Sequence, residues 1–263
     1  MTTLFGISLC LYGAALLCQL AGTLGRKEGV KKLAWGVFVL ALLAHLGYFI
    51  WRGLVAQRLP LSSQFEFSCG FALGVSLVLL VARTRVNADW IAAAGMAAVT
   101  LLMVYASRQK MEINELMPAL RSFWFIFHIG AAVFSYAAFL VAGCVSLRYV
   151  LQHRRGESAD SFRMKRLEYM SYRLVALGFL LLTAVIVIGA VWAEAAWSAY
   201  WTWDPKEVWA LITWIIYAIY LHIRLRKQMS DLFLSWYVIL AIPAFLFTFA
   251  GVNKLIPGLH SYA

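Results

Sequence analysis

Residues Trp192 to Trp214 read WAEAAWSAYWTWDPKEVWALITW. Six of the chain's eleven Trp residues fall in this stretch: Trp192, Trp197, Trp201, Trp203, Trp209 and Trp214. Long apolar runs flank it, yet charged residues lie at its centre, and a membrane span does not tolerate that density of charge. The pattern predicts a loop at a membrane surface between two spanning helices.

The second half of the stretch carries a helix-start pattern. Asp204 suits the N-cap, Pro205 suits the first helical position, and Glu207 lies three residues after the cap. We therefore predict a helix from Pro205. Trp201 and Trp203 are two residues apart, a spacing that fits no helical face, so they precede the helix.

Two interpretations of the aromatic side chains remain open. A belt of Trp at a membrane interface needs no ligand. The alternative is an aromatic platform for a large flat ligand, because indole rings stack on π surfaces and keep an N–H at the rim. Belts are usually sparse and divided between two interfaces, so the density in this stretch favours the platform.

The composition predicts an all-α polytopic membrane protein. The chain has 263 residues, of which 63% are hydrophobic and 13% charged, whereas a soluble domain has about 25% charged residues. A spanning helix takes about 20 apolar residues. We predict eight transmembrane helices, at about 4–24, 33–53, 65–83, 88–107, 123–150, 173–192, 206–225 and 231–251. The first run lacks a charged start and a cleavage site, so it is predicted to be a retained span.

The net charge of +11 is explained by membrane topology rather than by nucleic acid. Sixteen of the 23 Lys and Arg residues fall in one set of loops, which the positive-inside rule assigns to the cytoplasm. The Trp-rich loop and both termini are then extracytoplasmic. The longest cytoplasmic loop is predicted over 152–173, either as a solvated loop or as an amphipathic helix on the leaflet. The four Cys residues form no C-x-x-C pair, so neither a dithiol site nor a structural zinc site is predicted.

The segment from Gly189 to Glu207, GAVWAEAAWSAYWTWDPKE, resembles the tryptophan-rich WWD motif of haem-handling proteins in cytochrome c maturation. The closest branch is the CcsA (ResC) family of cytochrome c synthases, and CcmC proteins are more distant. The chain has Glu194 and Ser198 where that family is expected to have Asn and Gly. The resemblance runs from Glu66 to Tyr262. The segment PLSSQFE at residues 60–66 is also similar to the family, and Glu66 in it has either a helix-end or a functional role.

Two His residues are predicted on the same outer face as the Trp-rich loop. If the fifth span begins near Leu120, His128 lies roughly 12 Å inside it at 1.5 Å per residue. His260 follows the last span in PGLHSY. Two imidazoles beside an aromatic platform suit axial ligation of haem iron, and the resemblance implies the same pair. Trp192, Trp197, Trp201, Trp203 and Asp204 are the other candidate haem-binding residues.

The remaining His residues differ in position. His222 lies about 25 Å along the helix that begins at Pro205, beside Arg224. It is either a His at a helix end or, as the YLHIR match to the family implies, an inner haem ligand. His45 lies within the second span at a depth that does not match His222, and His153 lies in the basic cytoplasmic region.

The resemblance implies a cytochrome c synthase (haem lyase) subunit in a bacterial cytoplasmic or thylakoid-like membrane. Haem b is expected as substrate and bound ligand, and no acid, base or nucleophile is predicted. The implied partners are a CcsB (ResB) membrane subunit, apocytochrome c with reduced C-x-x-C-H, a thioredoxin-like reductant and the lipid bilayer. We predict one haem-handling domain over residues 1–263, with the extracytoplasmic loop at 193–207. Two other classes remain: a CcmC-type haem chaperone, and a membrane cytochrome b, which would favour His pairs at matching depth.

Overall fold

All eight predicted spans are helical. The computed structural model describes residues 2–86, 89–227, 229–256 and 258, and no strand occurs in these ranges. The helices are α1 (Thr2–Leu24), α2 (Glu28–Ala56), α3 (Gln64–Arg85), α4 (Asp89–Ser107), α5 (Phe123–Arg154), α6 (Phe162–Trp197), α7 (Pro205–Leu225), α8 (Asp231–Leu246) and α9 (Val252–Leu255). Within the same ranges, eight helices are long and apolar enough to cross a membrane. The all-α multi-pass fold is confirmed.

Three helices, α2, α5 and α6, extend furthest beyond their predicted spans, and α6 does so by the most. α5 has 32 residues and α6 has 36, so the loop predicted over 152–173 shrinks to 155–161. The basic segment RMKRLEY is helical, as one of the two interpretations held, but it forms the first turns of α6 itself. Ser161 caps that helix by accepting from the backbone N–H of Met164 at 3.2 Å. At its other end α6 continues to Trp197, so 193–197 are helical and the irregular loop is 198–204.

The chain packs as two compact units, Met1–Asn114 and Glu115–Ala263. In the first unit α1 packs against α2 and α4, and α3 packs against α4 and α2. In the second unit α5 packs against α6 and α8, and α7 packs against the same two helices. The assignment of a single haem-handling domain to residues 1–263 stays a prediction.

A buried carboxylate joins two helices of the first unit. The side chain of Glu66 has no exposed area, and it accepts from Arg52 Nε at 2.9 Å and from Arg58 Nη1 at 2.7 Å. The backbone N–H of Ser62 also donates to it, at 2.9 Å. Arg52 extends the network to the carbonyl of Met111, at 2.8 Å. Glu66 therefore ties α3 to α2, a connection that its position in a first helical turn did not predict.

We expect Glu66→Gln to lower the free energy of unfolding by about 3–5 kcal/mol, because removing one partner of a buried ion pair leaves the other charge uncompensated. Thermal unfolding of the purified protein in detergent measures the effect. Glu115→Gln is the matched control, since Glu115 is an exposed carboxylate. Equal unfolding midpoints for the two variants would show that the cluster does not stabilise the unit.

Candidate haem site

The site lies in the second unit, at the end where α5 begins, α6 ends and α7 begins. We call this the Trp end. The start of α5, the end of α6 and the start of α7 lie at the same end because consecutive spanning helices run in opposite directions. Phe125 of α5 contacts Trp192 of α6 with ring centroids 5.4 Å apart. A carbon added at Gly258 would meet the Asp204 carboxylate and lie 3.1 Å from Cδ of Pro205, so Gly258 lies against the start of α7.

His128 lies in the second turn of α5, which begins at Phe123. It is therefore closer to the helix start than a span beginning near Leu120 would place it. Its Nδ1 lies 2.9 Å from the carbonyl oxygen of Val185 on α6. A carbonyl only accepts, so Nδ1 carries the proton and Nε2 carries the lone pair in the neutral ring. That is the tautomer a His needs to bind a metal through Nε2, with the other nitrogen fixed by a backbone carbonyl.

Gly189 lets α6 approach this imidazole. A Cβ at Gly189 would lie 2.8 Å from both Cε1 and Nδ1 of His128, which is closer than real Cβ contacts come. Gly189 is one helical turn after Val185, so both residues face His128 from the same side of α6. Sequence reasoning quoted Gly189 as part of the motif but did not assign it a role.

Trp192 supports His128 from a buried position. Its side chain is 1% exposed, and its Nε1 donates to the carbonyl of Ala119 at 2.9 Å. Its ring stacks on the imidazole with centroids 5.7 Å apart and planes 29° apart. Trp197 meets Trp192 edge to face at 4.8 Å. Both Trp residues belong to α6 rather than to the loop, and their contact with haem stays a prediction.

Side-chain hydrogen bonds fix the end of the irregular loop where α7 begins. Asp204 accepts from the backbone N–H of Lys206 at 2.9 Å, and the carboxylate of Glu207 accepts from the backbone N–H of Thr202 at 2.9 Å and of Asp204 at 3.2 Å. The reciprocal capping box predicted for Asp204 and Glu207 is confirmed. A role of Asp204 towards haem stays a prediction.

Two loop residues have left-handed backbone conformations. Ser198 ends α6 with φ 57°, a backbone region that Gly adopts at lower cost than Ser. Trp203 has φ 59° and a side chain that is 70% exposed. A bulky residue held in this region is strained, and such strain concentrates at functional sites. Trp203 meets Trp201 edge to face at 5.9 Å and 89°.

The other candidate ligands are placed differently. His222 is exposed near the end of α7, whereas the buried residues of that helix are Thr213, Tyr217 and Tyr220. Nearby, Arg224 Nε donates to Glu168 at 2.8 Å. His260 lies outside the described residues.

His45 belongs to the first unit and is fully buried there. Its Nδ1 lies 3.4 Å from the hydroxyl of Tyr12, and that hydroxyl lies 3.3 Å from Oγ of Ser76. The sequence analysis did not identify Tyr12 as a partner of His45. The signal available was the recurrence of Ser8, Tyr12 and Gln19 on one face of an otherwise apolar helix.

A family model described as cytochrome C assembly protein matches residues 61–260. The chain belongs to this cytochrome c assembly family. The chain is also 33% identical over 269 residues to the cytochrome c biogenesis protein CcsA of Synechococcus sp. (strain CC9902), covering 90% of this chain and 87% of the relative. It is 32% identical over 291 residues to the CcsA of Parasynechococcus marenigrum (strain WH8102), covering 98% of this chain and 94% of the relative.

Among solved structures, the chain is similar in fold to a cytochrome c heme lyase, CcmF. The TM-score is 0.77 at 18% sequence identity, and the match covers 94% of this chain and 46% of that chain. The chain thus spans about half the length of CcmF. The sequence resemblance to the CcsA branch is confirmed by the relatives, and the fold is shared with a larger protein.

Proposed function

We propose that this chain is the CcsA-like subunit of a cytochrome c synthase, which presents haem b and takes part in its covalent attachment to apocytochrome c. The observation that carries the proposal is the His128 imidazole, which is held by Val185, Gly189 and Trp192 with its lone pair on Nε2. The family membership supplies the biological setting.

In this proposal His128 and His260 bind the iron of haem on the extracytoplasmic face, at what we call the outer site. Gly258 lies against Asp204 at the Trp end, and His260 follows Gly258 by two residues in the sequence. Trp201 and Trp203 cover the macrocycle, and the vinyl edge stays open to the substrate.

The attachment step needs little acid–base chemistry from this chain. Each apocytochrome thiol adds across a vinyl C=C bond: sulfur bonds to one carbon, hydrogen to the other, and no net electrons are exchanged. The rate depends on thiolate character and on a held geometry. The chain's contribution is orientation, and a thioredoxin-like reductant keeps the Cys residues reduced.

His222 is the proposed inner ligand, on the cytoplasmic half of α7. Its exposed position on the helix fits an iron that takes its second axial ligand from a CcsB (ResB) partner. The purified chain alone then carries chiefly the outer haem.

We expect Trp201→Ala and Trp203→Ala to lower haem content while membrane insertion is retained, because each removes an aromatic face from the loop. Haem per chain, measured by pyridine haemochrome against protein mass, is the readout. Trp124→Ala, an exposed Trp on α5, is the control. Wild-type haem content in both loop variants would make them belt residues only.

The proposed function is tested by reconstitution with a CcsB-type partner and a reduced apocytochrome peptide carrying C-x-x-C-H. The expected product gains the mass of one haem and keeps it under denaturing conditions. A reporter that acquires haem only non-covalently would instead favour a CcmC-type chaperone. A peptide with both Cys residues replaced by Ser is the control.

A further inference from the structure

Several buried or partly buried cations in the described ranges have clear partners. Among them are Arg52 and Arg58 with Glu66, Lys31 with Glu28 and Asp89, Arg224 with Glu168, and Arg83 over the Trp35 ring. Lys206 is also partly buried. No ion pair or hydrogen bond joins its ammonium to any residue in the ranges that the structure describes.

The two carboxylates closest to Lys206 in sequence accept hydrogen bonds from backbone N–H groups. Asp204 uses Oδ1 to accept from the Lys206 N–H, and its Oδ2 lies against Gly258. Glu207 accepts from the N–H groups of Thr202 and Asp204. The negative charge of Asp204 favours the charged form of Lys206, but the two side chains form no ion pair. A partly buried cation is stabilised by a counter-charge, since the ammonium loses part of its hydration on burial.

Lys206 lies in the first turn of α7, at the Trp end that also holds His128. Haem brings two propionate carboxylates as well as an iron. We propose that Lys206 binds a propionate of haem, so that this site selects a dianionic porphyrin and fixes which edge of the macrocycle faces the loop. The inference rests on the proposed function and deepens it.

The competing source of negative charge is a lipid phosphate, because Lys at a helix end can extend to the headgroups. The two sources differ in one measurable respect. A propionate partner disappears when the porphyrin carboxylates are esterified, whereas a lipid partner disappears when anionic lipids are omitted.

The experiment compares haem with haem dimethyl ester, which keeps the iron, the ring and the vinyl groups but lacks both negative charges. Both are titrated into the apo form of the full chain in nanodiscs of zwitterionic lipid, with and without phosphatidylglycerol. We expect the wild-type chain to bind haem at least about tenfold more tightly than the ester, since a charge-assisted hydrogen bond contributes about that factor. Lys206→Gln should remove the preference, and Lys206→Arg should retain most of it.

Arg121→Gln is the matched control, because Arg121 is an exposed cation at the same end of the unit, and it should leave the ratio of affinities unchanged. Lys206→Met keeps the apolar stem and replaces the Gln variant if that variant fails to insert.

An equal affinity for haem and ester in the wild type, or an unchanged ratio in the Lys206 variants, overturns the inference while leaving haem binding intact. An effect of Lys206→Gln that depends on phosphatidylglycerol alone assigns Lys206 to lipid and also overturns it. A wild-type chain that binds neither porphyrin overturns the proposed function together with the inference.

Discussion

Replacing His128 with Gly is expected to abolish haem binding at the outer site and cytochrome c maturation, and added imidazole is expected to restore part of both. The substitution removes one axial ligand and leaves a space lined by Gly189 and Trp192. Free imidazole fits that space, and its N–H can donate to the Val185 carbonyl as the His128 ring does. His260→Gly should behave in the same way.

The matched control is His153→Gly, because His153 lies on the same helix, α5, near its other end. Haem content and thioether product are measured for each variant with and without imidazole. Full maturation in a His128→Gly, His260→Gly double variant without imidazole would rule out this ligand pair.

Gly189→Ala is expected to impair haem binding nearly as strongly, although it removes no chemical group. The new methyl would lie 2.8 Å from two atoms of the His128 ring, so the imidazole must move and its hydrogen bond to Val185 must lengthen. Overpacking of this kind costs about 1–3 kcal/mol, and a displacement of about 1 Å at a reacting centre can cost about a hundredfold in rate. We therefore expect at least a tenfold loss of haem affinity and a larger loss of product formation.

Gly130→Ala provides the control, since Gly130 is also on α5, two residues from His128, and a Cβ there meets no atom within 4 Å. It should bind haem as the wild type does. If Gly189→Ala bound haem normally, the packing of α6 on the imidazole would not determine ligand position.

The elements that followed from sequence are those with local chemical causes. Eight spans follow from apolar length, and the start of α7 follows from Asp204, Pro205 and Glu207, which form a cap within four residues. The ends of α5 and α6 were misjudged because hydropathy measures where apolar residues stop. A helix continues through charged residues until a cap or a left-handed residue such as Ser198 ends it.

The site was only partly predictable for a related reason. His128 stands out in an apolar segment, so its type and position indicate function. Its support does not stand out, because Val185 acts through a backbone carbonyl and Gly189 acts through the absence of a side chain. Trp192 was predicted as a haem-binding residue; the structure shows that it is buried and bonded to Ala119, and its contact with haem stays a prediction.

The first unit shows the same limit. Arg52 and Glu66 are 14 residues apart in sequence and separated by a turn, so their pairing at 2.9 Å depends on how α2 and α3 pack. The contact between Tyr12 and His45 likewise joins two helices. Neither pairing follows from one segment alone, because each depends on how two helices pack.

The most direct test of the central claim is the absorption and electron paramagnetic resonance spectrum of the purified chain with haem bound. Ligation by His128 and His260 predicts a low-spin ferric haem with two imidazole ligands, at about one haem per chain. His128→Gly should convert it to a high-spin or haem-free state, and imidazole should return the low-spin signal. A wild-type low-spin spectrum that persists unchanged in His128→Gly would contradict the assignment of the site.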